Sequence, residues 1–251
     1  MSQKSKLIIC RLCGQEKIPI KCHIIPKCFF KLPGNEKKPH FIISSKKKDF
    51  KKRIPTGVYD EDIICGDCES LFLPWDTYAC KFFKSKDFSK IVLREDGQTK
   101  ECIQTDFDYP RLKLFFMSLL LRANYSKHQF FGKVRLGVHE KKLKNFILSE
   151  DPGKSEDFSV VLSNFTDFFE HTSGGFGPFS RRFDGVLAYR FSFGTCQALI
   201  KVDQQNFKEP FKGVILSPDK PLLMIPTEFI GSKAHRQIVK DVLEYEKRNY
   251  S

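Results

Sequence analysis

Two cysteine pairs are spaced to hold a metal. CRLC places Cys10 and Cys13 three positions apart, and CGDC does the same with Cys65 and Cys68. Each pair can therefore set two thiolates at neighbouring corners of a tetrahedral zinc site. Four such ligands fill the shell and leave no position for water, so the zinc they imply is structural. The glycine after Cys13 suits the tight turn of a knuckle, where backbone N–H groups reach the sulfurs. The 51 residues between the pairs exceed the usual zinc-ribbon spacing. A redox dithiol is the rival for either pair alone, but it would want a βαβ setting that the sequence lacks. Cys22 and Cys28 are not spaced as a knuckle, and Cys80, Cys102 and Cys196 read as small buried residues.

Between the pairs stands KCHIIPKCFF, residues 21–30. An imidazole with an ordinary pKa of about 6.5 is mostly neutral at pH 7 and can take a proton from an attacking water. His23 has that capacity. The same residue also reads as a turn or core histidine, or as a spare zinc ligand, and the residues alone leave these open.

Charge points to a polyanion. The chain carries a net +13, and residues 1–53 hold 15 Lys/Arg against three acids, leaving 28 against 27 for residues 54–251. The densest run, KKKDFKKR, offers Lys46, Lys47, Lys48, Lys51, Lys52 and Arg53 as phosphate contacts that position a nucleic acid without reading its bases. The competing reading is a solvated lysine face. A second alternative is an interaction subunit whose basic arm meets an acidic protein.

These groups need elements to place them. With 251 residues, 41% hydrophobic and 26 of them Phe, the chain can bury a real core. The run LFFMSLLL between Lys113 and Arg122 is far short of the roughly 20 residues of a membrane span, and reads as a buried helix. It begins near Asp108 as cap and Pro110 in the first turn. Residues 134–149 give a second helix with Leu143, Phe146 and Ile147 on one side. From Phe158 the runs FSVVLSNF, GVLAYRFSF, TCQALIKV, GVILS and LLMI predict an antiparallel sheet. HTSGGFGPFSRRF reads as a hairpin loop, and SKAHRQIVKDVLEYEKRNY as a closing amphipathic helix with Ile238, Val239, Val242 and Leu243. The amino terminus has too short an apolar run for a signal peptide, so a cytoplasmic protein with no membrane partner is expected.

Taken together, CRLCG (10–14), CHIIPK (22–27) and IICGDCESLF (63–72) resemble the zinc-stapled branch of the HNH endonucleases, the ββα-metal nucleases. WDTYA (75–79) and a later helix ending SLLLRA extend the likeness to bacterial HNH-like proteins found near antiphage defence genes. The resemblance covers roughly residues 7–80. It implies a zinc-stapled ββα-metal module over 1–80; with the polar connector over 81–107 and the helix and antiparallel-sheet domain over 108–251 read from the pattern, the expected fold is α+β, the last domain serving to sense, bind a partner or self-associate. It also implies hydrolysis of DNA or RNA phosphodiesters, with His23 as general base and Mg²⁺ or Mn²⁺ as catalytic ion beside the structural Zn²⁺.

Two positions depart from that pattern. Cys22 stands where the family usually has an acid, His or Ser, and YDED (59–62) replaces the asparagine that orients the histidine. Asp60 or Asp62 is then the candidate to orient His23. Glu69 and Asp76, seven apart on one helix face, are the candidate oxygen ligands of the ion. The alternative is a catalytically inactive zinc-stabilised module that binds nucleic acid or a partner.

Overall fold

In the computed structural model the described residues are 7–30, 41–42, 52–53, 57–85, 92–93, 100–104, 106–165, 178–193, 196–228 and 230–232, with single helical positions between 235 and 247. The amino-terminal part consists of short strand pairs. β1 (Ile8–Ile9) pairs with β2 (Glu16–Lys17) around the first knuckle. β3 (Cys22–His23) is followed by a 3₁₀ turn at Lys27–Phe30, then β4 (Phe41–Ile42) pairs with β5 (Lys52–Arg53). β6 (Tyr59–Asp60) returns antiparallel to β3, with Cys22 opposite Asp60 and His23 opposite Tyr59.

The second knuckle opens α1 (Gly66–Ser85). Its buried residues Cys68, Phe72, Trp75, Ala79 and Phe82 recur every three or four positions, which defines one face. The stretch read as a connector contains β7 (Val92–Leu93) and β8 (Lys100–Gln104), paired with each other.

α2 (Tyr109–Tyr125) is the centre of the molecule. Asp108 caps it by accepting a hydrogen bond from the Arg111 amide at 3.0 Å, and Pro110 sits in the first turn. Every residue from Leu112 to Tyr125 is buried, Lys113 and Arg122 included. α1 packs along one side of it and α3 (Glu140–Leu148) along another, burying Leu143 and Ile147.

β9 (Val160–Phe165), β10 (Phe179–Phe183), β11 (Val186–Phe193), β12 (Cys196–Lys201) and β13 (Leu222–Thr227) join β7 and β8 in one sheet, ordered β10-β11-β12-β9-β13-β8-β7. Alternation sorts its faces. Val160, Leu162, Phe191, Ala198, Ile200 and Met224 share a core with α1, α2 and the zinc region, whereas Val161, Ala188 and Leu199 join Phe207 and Val214 in a smaller cluster behind.

Several expectations need correction. The sheet is mixed, because β13 runs parallel to β9. GVILS is not a strand: its first two residues end a 3₁₀ turn at Phe211–Val214, and Ile215 makes an isolated bridge to Val161, with the Leu216 amide donating to Val160 O. Pro210 and Gly213 favour that turn. Phe179–Phe183, read as loop, is an edge strand whose exposed Ser180, Arg181 and Arg182 hide the pattern of a buried one. Cys80 is not a lone small residue but forms a disulfide with Cys28, Cα atoms 6.1 Å apart, tying the 3₁₀ turn after His23 to α1. Disulfides are exceptional in reducing compartments, so this one lends the cytoplasmic expectation no support.

The closing helix falls mostly outside the described residues; Val239 and Leu243 of its apolar set are exposed. No helix among the described residues is long and apolar enough to cross a membrane.

Candidate metal centre and histidine site

The two knuckles meet. The sulfurs of Cys10, Cys13, Cys65 and Cys68 lie within 4.8 Å of one another. Cys10 Sγ is 3.6 Å from Cys68 Sγ, and Cys13 Sγ is 3.9 Å from Cys65 Sγ. Zn–S bonds of about 2.3 Å in a tetrahedron place sulfurs about 3.8 Å apart, so the donor set fits zinc. The first knuckle closes through Gly14 N–H to Cys10 O at 2.8 Å, with Gly14 at φ +77°, a conformation that favours glycine. The Cys65 amide points at Cys10 Sγ at 3.4 Å.

The same geometry prepares a thiolate. Burial pushes the Cys10 thiol up, but the backbone groups of Cys13, Cys65 and Leu12 outweigh it and hold the thiol at about 7. Burial raises Cys65 and Cys68 instead. A bound zinc ion would deprotonate all four.

The knuckles also anchor their neighbours. Arg11 N–H bonds to Ile63 O and the Ile20 amide to Ile64 O, so the chain leading to His23 runs beside the chain leading to the second knuckle. Arg11 donates to the Tyr125 carbonyl at 2.9 Å and lies 4.4 Å from that ring's centre, capping the end of α2.

His23 is half-buried, and its buried Nε2 has no hydrogen-bond partner among the described residues. Burial first, then the Lys21 and Lys27 cations and Arg122, hold its pKa below the ordinary value; Asp76 pulls weakly the other way. The ring is therefore neutral at pH 7.

The expected orienting carboxylates are engaged elsewhere. Asp60 accepts a hydrogen bond from the Ser126 hydroxyl, and Asp62 faces Lys127 at 3.8 Å. Among the described residues neither bonds to His23. Pairing explains why: Asp60 lies opposite Cys22 and shares its face, whereas His23 shares the other face with Tyr59, their ring centres 5.9 Å apart.

Arg122 governs the space behind His23. Its five N–H donors meet five acceptors: Asp76 Oδ2 at 2.8 Å, Asp76 Oδ1 at 2.7 Å, His23 O at 2.9 Å, Ser118 Oγ at 3.1 Å and Ser118 O at 3.4 Å. The guanidinium also lies over Phe72, 4.9 Å from the ring centre. Burial would lower its pKa, but Asp76 more than compensates, so the ion pair is intact. One side chain thus ties α2 to α1 and to the histidine strand.

The expected catalytic ion finds a poor donor set. Asp76 gives both oxygens to Arg122, and burial pushes the Cys22 thiol far up, leaving it neutral. Glu69, next to the Cys22 thiol, has an orphaned buried Oε2 and a pKa raised by burial. One free carboxylate oxygen does not fit Mg²⁺ or Mn²⁺, which prefer several oxygen ligands. Among the described residues only the four cysteines converge as a metal-binding group.

Of the basic arm, Lys46, Lys47, Lys48 and Lys51 lie outside the described residues; Lys52 and Arg53 form β5. Sequence reasoning missed Arg122, Ser118 and Ser126. The available signal was a cation in the register of a helix apolar on nearly every face, which must bury that cation and find it a carboxylate. No protein-family model, curated protein or solved structure matches the chain.

Proposed function

We propose that residues 7–85 form a nucleic-acid phosphodiesterase module of the HNH type, in which His23 removes the proton from the attacking water. The observation that carries this reading is the setting of His23: an imidazole kept neutral by burial and neighbouring cations, held on a strand braced by the cysteine cluster. The β3–β6 pair followed by α1 is the hairpin-and-helix order that the resemblance implies. Lys21 and Lys27 would draw a phosphate toward the imidazole and offset its charge. Arg122 acts from behind, fixing the strand through the His23 carbonyl. Proton removal and phosphate attraction are the steps these residues supply, and none is assigned to a divalent ion because the oxygen donors do not fit one.

The Arg122–Asp76 pair also favours a second reading. A carboxylate locked into a five-bond network with a buried arginine serves stability, and a neutral Cys22 replaces the acid, His or Ser of the family pattern. Both belong in a zinc-stabilised module that binds nucleic acid without cutting it. Supercoiled plasmid and single-stranded RNA, each incubated with Mg²⁺, Mn²⁺, Ni²⁺ or no added metal, separate the two. Scission in any arm that purifies with the protein supports the nuclease; binding with intact substrate throughout supports the binding module.

A further inference from the structure

The Cys28–Cys80 disulfide takes no part in the proton removal or phosphate attraction given to His23 and its lysines, yet it bears on the same strand. Cys28 belongs to the 3₁₀ turn Lys27–Phe30 that follows the histidine strand, and Cys80 to α1. Asp76, one turn earlier on α1, pairs with Arg122, which in turn holds the His23 carbonyl. Two links therefore run from α1 to the chain between His23 and Cys28: a buried ion pair at one end and a covalent bond at the other. The segment between has slight anchors of its own. β3 is two residues long, the Ile24 amide donates to Val58 O at 3.1 Å, and the Phe29 ring meets Phe83 and Phe115 with centres 5.9 and 5.7 Å away.

Exposure and oxidation state set this pair apart from the other cysteines. Cys28 and Cys80 are both partly exposed, the condition for attack by a thiolate from solution. Cys22 and Cys196 are buried thiols, and the four knuckle cysteines are placed to act as thiolates around zinc. One chain thus combines cysteines that work reduced with a pair that stands oxidised. Exposed disulfides are the labile, regulatory kind, and where thiols are kept reduced they sense redox state and do not serve as permanent staples.

We propose that Cys28 and Cys80 form a thiol–disulfide switch: oxidised, the pair clamps the end of the histidine strand to α1; reduced by a dithiol, it frees the turn and opens the His23 ring to solvent. In the reduction one thiolate of the dithiol attacks a sulfur of the pair and its second thiol displaces the mixed disulfide. The dithiol ends as a disulfide, and its two protons and two electrons end on Cys28 and Cys80 as thiols. The switch is independent of whether the module cuts nucleic acid or only binds it, because what it changes is the exposure of His23.

The full-length zinc-loaded protein, held in glutathione disulfide or in dithiothreitol with zinc measured in both, tests it. Alkylation under native conditions, mapped by mass spectrometry, should label Cys28 and Cys80 in the reduced sample alone. Diethyl pyrocarbonate, which acylates neutral imidazole, should modify His23 at least about tenfold faster after reduction, since a lost cross-link raises local opening. His139 and His235 should react alike in both states. Cys28→Ser with Cys80→Ser should give the fast His23 rate in either buffer, and if that variant does not fold, the wild-type comparison decides alone. A pair that resists dithiothreitol in the folded protein, or a His23 rate equal in the two states, overturns the proposal. So does a faster rate that appears only as zinc is lost, which would assign the effect to the knuckles.

Discussion

Arg122 holds a charge where no water reaches, so each of its partners depends on it. Truncating one member of a buried pair leaves the other uncompensated, at about 3–5 kcal/mol. Arg122→Met should therefore lower stability by about that amount in urea denaturation, and Arg122→Met with Asp76→Leu should recover much of the loss. A single variant within about 0.5 kcal/mol of wild type, the range of ordinary surface changes, would show that the pair is not buried as described. Its place was partly legible: the sequence shows an arginine closing an apolar run, but helical register alone does not say which carboxylate, on which other helix, will meet it. His23 was legible as a candidate base, and its orienting partners were not, because a two-residue strand pair decides which side chains share a face.

His23 also makes a pH prediction. Its folded pKa is depressed by burial and then by Lys21 and Lys27, so the unfolded chain takes up the proton first as pH falls. The stability associated with the neutral ring is present above about 6.5, the unfolded value, and declines as pH falls through the lower folded value. The acidic limb of any cleavage profile should accordingly lie below about 6.5. A limb at or above pH 7 would assign the base elsewhere.

At the scale of elements, the zinc cluster joins two segments that share little else in sequence. Cys65→Ser removes one of the four thiolate ligands while keeping the backbone amide that faces Cys10 Sγ. Zinc binding is coupled to folding in small metal-stapled modules, so metal analysis should fall from about one zinc per chain toward none, with loss of the near-ultraviolet signal of Trp75. A folded, zinc-free variant would show that the cysteines are not the staple. Paired cysteines, the Asp108 cap and the long β-rich runs were readable because each depends on local spacing. β10 was not, since an edge strand with exposed Ser180, Arg181 and Arg182 lacks the buried face that gives a run its pattern. The Cys28–Cys80 disulfide was hidden for a similar reason: 52 positions separate its ends, and only the packing of the 3₁₀ turn on α1 brings them together.

For the whole molecule, the asymmetry of charge predicts how it meets nucleic acid. If four to six of Lys46, Lys47, Lys48, Lys51, Lys52 and Arg53 touch duplex phosphates, log K should fall against log salt with a slope of roughly −4 to −5. Replacing all six with Ala should flatten the slope and leave base preference unchanged. An unchanged slope would make the arm a solvated segment. Among the described residues one cluster of buried side chains runs from Cys10 through α1 and α2 to the sheet. A disturbance at the zinc cluster should therefore be felt in the sheet, and one cooperative unfolding transition is expected.

The central claim is that His23 does chemistry and not structure. The direct measurement is the single-turnover cleavage rate of His23→Ala beside wild type, with zinc content and melting temperature recorded on the same preparations. The rate should be at least about 10² lower, the low end for a lost general base, with zinc content and melting temperature nearly unchanged. Equal rates, a fall in activity that tracks loss of zinc or stability, or a wild type that binds but cuts neither DNA nor RNA would contradict it.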